Sequence, residues 1–200
     1  AAAEMLLTLC DALPAMCLKA AAFVPQLLGV LLALALLCTP LAALSLTGTQ
    51  RRQLRAIAGR TLKEFLEPYE FPSEHKRILE PYNYYEFGQR YVRNLVDFER
   101  SWLGHRERWD DVQARLARGE NVIILANHQT EADPGVFALL LEQTHPELAE
   151  EVAYVAGDRV TDDALCKPFT MGRNVFCVHS KKHMDDAPAA RPRKQKHNMK

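Results

Sequence analysis

The sequence predicts an α/β fold: a mostly parallel sheet with flanking helices, preceded by an N-terminal helical region. Short runs rich in β-branched and aliphatic residues at 122–125, 152–156 and 174–178 are typical of buried strands. Segments with the apolar periodicity of helices lie on both sides of the first run, 122–125. Strands that alternate with helices favour parallel pairing, because a parallel connection must cross back over the sheet.

Residues 1–50 form a hydrophobic segment. No charged residue occurs in 20–50, which exceeds the roughly 20 apolar residues that cross a bilayer. Arginines follow at Arg51 and Arg52, as expected on the inner side of a membrane anchor. Three interpretations stay open, namely a membrane anchor, a targeting presequence and a buried segment. Acidic residues ahead of the apolar stretch argue against a simple signal peptide.

Residues 51–118 are expected to be helical. Apolar residues from Leu54 to Leu66 recur at helical spacing, and Pro68 ends that helix. A second amphipathic helix is predicted over 91–103, and a third over 109–117, which Gly119 terminates. The tyrosines and phenylalanine between 82 and 91 are expected to pack in the core.

Residues 119–186 are expected to form the α/β core. The strand at 122–125 leads into a polar turn, and a helix starts at Pro134. Ligands of parallel sheets gather beyond the carboxyl ends of the strands. Five polar residues lie just past such ends, namely His128, Asp158, Arg159, Lys182 and His183. The sequence therefore places a candidate site at this edge.

The strongest chemical signal is His128 followed five residues later by Asp133. On a continuous helix these side chains would point about 140° apart, but a tight turn can bring them together. A histidine oriented by a carboxylate can accept a proton from a substrate hydroxyl. The alternatives are that Asp133 only starts the helix at Pro134 and that His128 is a solvated loop residue.

Six sequence blocks occur in a fixed order around this pair. The blocks are 84–89, 127–134, 156–160, 165–169, 172–174 and 179–184. In this order and spacing, from about residue 54 to 186, the chain resembles the soluble, plastid-type glycerol-3-phosphate acyltransferases.

The resemblance implies transfer of an acyl group from acyl-carrier protein, or from acyl-CoA, to the sn-1 hydroxyl of glycerol 3-phosphate. It implies that His128 is the general base and that Asp133 orients it. It also implies that Lys182 and His183 bind the substrate phosphate, and it places the protein in the chloroplast stroma. Arg159 is a further candidate to line the site.

The resemblance stops after Asp186. The family's Gly-Gly-Arg-Asp-Arg block, which supplies two more phosphate ligands, does not occur in this chain. The expectation is therefore an incomplete fold relative to the family, with little or no activity. A non-catalytic, truncated and membrane-associated isoform is the alternative function. Residues 187–200 are basic and are expected to form a disordered tail. The less favoured interpretation is that they contact anionic lipid.

The composition and the cysteine spacing argue against several other functional classes of protein. Lysine plus arginine total 25 against 25 acidic residues, so there is no basic signature of nucleic-acid binding. The five cysteines show neither zinc spacing nor a disulfide pattern, and they are expected to be reduced. No metal or other cofactor is expected, since His128 and Asp133 lack a third ligand at metal spacing, which also disfavours a metal hydrolase.

Overall fold

The computed structural model describes residues 47–181, 184 and 188–199, and the chain divides into two units after Tyr69. The predicted hydrophobic segment at 1–50 therefore lies almost wholly outside the described residues, as do Lys182 and His183. Among the described residues, no helix combines the length and the apolar character needed to cross a bilayer. The membrane anchor thus stays a prediction.

The described part of the first unit is helix α1 (Gly48–Leu66). It starts with a reciprocal capping box, in which the Gln50 N–H donates to Thr47 Oγ1 (3.2 Å) and the Thr47 N–H donates to Gln50 Oε1 (2.8 Å). The helix ends just before Pro68, whose ring cannot continue it. The predicted first helix is confirmed.

The second unit holds eleven described elements, and the site depends on the order of its strands and helices. In chain order they are β1 (Glu74–His75), α2 (Tyr84–Arg93), α3 (Arg106–Ala117), α4 (Asp133–Leu141), α5 (Pro146–Glu151), β2 (Ala153–Ala156), α6 (Asp158–Asp162), α7 (Lys167–Thr170), β3 (Asn174–Cys177), a 3₁₀ turn (Pro188–Ala190) and α8 (Arg191–Asn198).

The sheet has three described strands in the order β1-β3-β2. Strand β2 runs parallel to β3, with Ala153 opposite Asn174 and Ala156 opposite Cys177. Strand β1 pairs with the other edge of β3 in the antiparallel direction. The α/β class is confirmed, and the described sheet is mixed, so the predominance of parallel strands stays a prediction.

The core lies between α4 and α5. Ala138 and Leu141 of α4 are wholly buried, and they cluster with Leu148 and Ala149 of α5. Helix α3 covers this cluster, and the Trp109 ring meets a phenylalanine of α4 edge to face at 5.4 Å between centroids. This packing anchors α4, the helix that begins at the candidate catalytic turn.

Two predicted elements differ from the structure. Residues 122–125 do not form a strand, and the side chains of Ile123 and Leu125 are 85% and 92% exposed. A strand requires a hydrogen-bonding neighbour, and within the described part of the chain this segment has none. The second helix spans Tyr84–Arg93 rather than 91–103, because the Asn83 side chain accepts from the Glu86 N–H (2.8 Å) and starts it earlier.

The basic segment expected to be disordered also differs, because 191–198 form helix α8. The helix docks on the sheet through specific contacts. The Lys194 ammonium donates to Asp158 (2.7 Å), and the Asn198 side chain donates to the His179 carbonyl (2.8 Å). The His197 carbonyl accepts from the Ser73 hydroxyl (2.9 Å). These partners, which are far away in sequence, order a segment whose composition alone favours disorder.

Candidate active site

The turn between 128 and 133 is organised by one carboxylate. An oxygen of Asp133 accepts from the Gln129 N–H at 2.6 Å, and the carboxylate also accepts from the Thr130 N–H at 3.1 Å. The Thr130 hydroxyl in turn accepts from the Ala132 N–H (2.8 Å). Asp133 is the first residue of α4, yet its side chain folds back over the turn instead of capping the helix.

This arrangement brings His128 and Asp133 into contact. The His128 Nδ1 atom lies 2.8 Å from Asp133 Oδ2. Desolvation raises the pKa of the Asp133 carboxyl, but the N–H groups of Gln129 and Thr130 and the His128 ring outweigh it and lower that pKa. An ionised carboxylate can only accept a hydrogen bond, so Nδ1 carries the proton and donates it.

The other ring nitrogen of His128 is therefore the acceptor. The His128 side chain is 66% exposed, so Nε2 is open to an approaching hydroxyl group. With its lone pair free and its tautomer set by Asp133, this nitrogen has the form that a general base requires. The contact between the two side chains, which the sequence predicted, is present in the structure.

Glu131 lies on the Nε2 side of the imidazole. Its carboxylate is 3.9 Å from Nε2, which is too long for a hydrogen bond. The same side chain pairs with Arg159 Nε at 3.3 Å. Arg159, predicted from its place after a strand, thus reaches the turn through Glu131.

A second histidine–carboxylate pair lies at the carboxyl ends of β2 and β3. The His179 ring bonds to Asp158, and the Lys194 ammonium holds the other carboxylate oxygen at 2.7 Å. Burial raises the pKa of Asp158, while Lys194 and His179 lower it more, so the carboxylate stays ionised at neutral pH. The sequence pattern places Asp158 at this edge but does not reveal its partners, because His179 follows a different strand and Lys194 lies 36 positions further along the chain, in α8.

The predicted phosphate ligands, Lys182 and His183, follow His179 in the chain and lie outside the described residues. Their roles, like those of His128, Asp133 and Arg159, stay predictions. Among the described residues, no group of three histidine, cysteine or acidic side chains could hold a metal ion.

The described cysteines are poor nucleophiles. Cys166 and Cys177 are free thiols. Burial raises the pKa of Cys177 to about 11, and burial followed by the nearby acidic charges raises that of Cys166. Because the thiolate is the reactive form, neither side chain is suited to attack an acyl group near neutral pH.

A polar cleft of about 360 Å³ lies away from this turn, beside α2. Its charged walls pair with each other, since Arg90 binds Glu86 and Arg93 binds Glu142. None of the predicted site residues lines it. The chemistry therefore points to the turn at His128, at the edge of the α/β unit, rather than to the cleft.

Comparison with known proteins identifies a matching family and several similar proteins. Residues 110–199 match the protein family described as Acyltransferase. The chain is 49% identical over 145 residues to the chloroplastic glycerol-3-phosphate acyltransferase of Carthamus tinctorius, covering 72% of this chain and 31% of that protein. The corresponding protein of Spinacia oleracea is 53% identical over 127 residues, or 64% of this chain and 27% of the relative.

The chloroplastic glycerol-3-phosphate acyltransferase of Arabidopsis thaliana is 46% identical over 132 residues, which cover 66% of this chain and 29% of that protein. The chain thus spans about a third of the length of the curated relatives that it matches. The resemblance in the sequence is confirmed: over about 70% of its length, this chain is similar to the chloroplastic glycerol-3-phosphate acyltransferases, at about 50% identity.

Proposed function

We propose that this chain carries the catalytic base of a glycerol-3-phosphate 1-O-acyltransferase. The observation that carries the proposal is the 2.8 Å contact between His128 Nδ1 and Asp133, with Nε2 left open to solvent. The names of the homologues, which are glycerol-3-phosphate acyltransferases of chloroplasts, support the substrate and a plastid location. The stroma and the membrane association of the N-terminal segment belong to the same proposal.

The proposed reaction starts when the sn-1 hydroxyl of glycerol 3-phosphate loses its proton to His128 Nε2. Its oxygen attacks the thioester carbonyl of the acyl donor, which is an acylated acyl-carrier protein or acyl-CoA. A tetrahedral intermediate forms. The carbon–sulfur bond then breaks, and the imidazolium returns the proton to the leaving thiolate. The products are an ester at the sn-1 position and a free thiol.

Asp133 stabilises the imidazolium that forms in this sequence. Its carboxylate keeps the proton on Nδ1 before the reaction and offsets the positive charge after the proton reaches Nε2. Glu131, which lies 3.9 Å from Nε2, adds to this negative field, and Arg159 balances it. No metal ion or other cofactor takes part in the proposed step.

Asp133→Asn tests the orienting role. We expect turnover to fall by roughly 10- to 1,000-fold, because an amide can donate to Nδ1 and so favour the wrong imidazole tautomer. The Michaelis constant for glycerol 3-phosphate should change little, as Asp133 has no part in phosphate binding. Asp111→Asn is the matched control, since among the described residues this exposed carboxylate pairs with Arg115 alone, and the change should leave turnover unchanged. A loss confined to substrate affinity would contradict the assignment.

The same contact sets a pH dependence with a defined sign. The folded state lowers the pKa of Asp133, so the contact stabilises the turn above the ordinary pKa of about 4. This stabilisation is lost as the pH falls through the lowered pKa. The orientation of His128 should therefore persist across the neutral range and fail only in acid.

Lys182→Ala and His183→Ala test the proposed phosphate site. Each change should raise the Michaelis constant for glycerol 3-phosphate several-fold, because a phosphate dianion loses a charged donor, and leave that for the acyl donor unchanged. Lys181→Ala is the control, since it removes an adjacent exposed cation. If the constant for the acyl donor rose instead, the phosphate would have to bind elsewhere.

A non-catalytic role is the second candidate. The observation that favours it is the exposed, irregular segment at 122–125, which leaves the catalytic turn without a strand on its N-terminal side. Binding of glycerol 3-phosphate without measurable acyl transfer by the purified chain would favour this candidate.

A further inference from the structure

The catalytic turn has little support from the residues that precede it. Residues 121–128 are irregular, and within the described part of the chain their N–H groups make no hydrogen bond. Ile123 and Leu125 extend into solvent instead of packing. The position of the His128–Asp133 pair must therefore be set from its other side, by the first turn of α4.

Two contacts hold the first turn of α4. One is close packing, since a Cβ atom on Gly135 would lie 2.8 Å from Val92 Cγ2 of α2. The other is polar, because the Tyr154 hydroxyl donates a hydrogen bond to the Pro134 carbonyl at 3.2 Å. Pro134 directly follows Asp133, so this bond reaches the residue next to the orienting carboxylate.

Tyr154 is well placed to act as a fixed support. It lies in β2, where it is opposite Val175 in the parallel register with β3. Burial, partly offset by nearby Arg173, raises the pKa of Tyr154 to about 12. The phenol thus remains protonated throughout the neutral range, and a carbonyl oxygen can only accept. The direction of the hydrogen bond is fixed as a result.

We propose that Tyr154 is a positioning residue for the acyltransferase site: by holding the Pro134 carbonyl, it fixes the Asp133 carboxylate that orients His128. The inference rests on the proposed function. Tyr154 touches neither substrate nor His128, and it acts through α4. It connects the sheet, which is ordered by strand pairing, to a turn that lacks a strand of its own.

The test compares Tyr154→Phe with Tyr91→Phe. Both changes remove one hydroxyl group and keep the ring, and among the described residues the Tyr91 hydroxyl has no hydrogen-bond partner. The first readout is the ¹⁵N spectrum of the His128 ring in the purified chain, which reports the proton on Nδ1 without requiring turnover. Tyr154→Phe should shift this spectrum toward that of Asp133→Asn, and Tyr91→Phe should leave it unchanged.

The second readout is acyl transfer. Tyr154→Phe should lower kcat about tenfold, because a small displacement of a catalytic pair is costly, with the Michaelis constant for glycerol 3-phosphate unchanged. In the Asp133→Asn background the same change should have no further effect on kcat or on the spectrum, since its target is already lost. A role in general stability would instead add to the effect of Asp133→Asn.

The outcomes separate the two proposals. If His128→Ala and Asp133→Asn lower turnover but Tyr154→Phe changes neither kcat nor the spectrum, the positioning role is wrong and the proposed function stands. If His128→Ala leaves turnover intact, the proposed function is wrong. A shift in the His128 spectrum with Tyr154→Phe would then still support the structural link between Tyr154 and the turn.

Discussion

Replacing His128 with alanine is expected to reduce acyl transfer by roughly 100- to 10,000-fold, the usual contribution of a general base. Asp133 sets the tautomer of the His128 imidazole, and in that tautomer Nε2 is the proton acceptor. Because the side chain is 66% exposed, its removal should leave the free energy of unfolding nearly unchanged. The loss should therefore appear in kcat and not in the amount of folded protein.

The measurement is transfer of a labelled acyl group to glycerol 3-phosphate by the purified chain. His105→Asn is a suitable control, because His105 is similarly exposed, lies outside the turn and has a left-handed backbone that Asn tolerates. The control should retain full turnover. Equal activity of His128→Ala and the unmodified chain would remove His128 from the mechanism, and inactivity of both would favour the non-catalytic candidate.

The largest effect on stability is expected from Gly172→Ala. A Cβ atom at 172 would lie 2.4 Å from the Tyr84 carbonyl oxygen and 2.6 Å from the Tyr85 nitrogen. These are backbone atoms in the first turn of α2, so no change of rotamer relieves the clash. Either α2 or the segment that leads into β3 must move, and we expect a loss of about 3 kcal/mol in the free energy of unfolding.

For a chain of this size, such a loss lowers the melting temperature by about 6–12 °C. Gly104→Ala is the matched control in the same unit, because a Cβ atom at 104 meets nothing within 4 Å. Thermal melts followed by circular dichroism compare the two variants. A melt of Gly172→Ala within 2 °C or so of the control would mean that α2 and β3 are packed less closely than the structure indicates.

Local patterns predicted helices α1, α3 and α4 and two of the strands. Helix α1 follows from its apolar periodicity and from Pro68, and α3 from Gly119 after its end, which has a left-handed φ of 78°. Strands β2 and β3 follow from their β-branched composition. In each case the signal lies within the element or directly after its end, so neighbours along the chain are enough to reveal it.

Elements that depend on distant partners were not predictable in this way. The run at 122–125 has the composition of a strand, but strand formation is decided by a neighbour that composition does not specify. Strand β1 has only two residues, too few for a pattern, and exists because Ser73 to His75 reach the edge of β3. Helix α8 likewise depends on Asp158 and His179.

The same division holds for the site. The His128–Asp133 contact spans five residues of one turn, so the sequence could predict it, and the structure places the atoms 2.8 Å apart. The cluster of Asp158, His179 and Lys194 and the bond from Tyr154 to Pro134 join different elements. Their assembly depends on how strands and helices pack in three dimensions, which the sequence pattern does not contain.

The carboxylate of Asp133 has a consequence for amide exchange with solvent. The N–H groups of residues 121–128 have no hydrogen-bond partner among the described residues. Their hydrogens should exchange with solvent at the rate of an unstructured peptide. Those of Gln129 and Thr130 both donate to Asp133 and should exchange more slowly. Because protonation of the carboxyl weakens both bonds, acid should remove this protection at the same pH at which it releases the His128 ring. The exchange rates of two backbone amides thus report the state of the His128–Asp133 pair without any substrate.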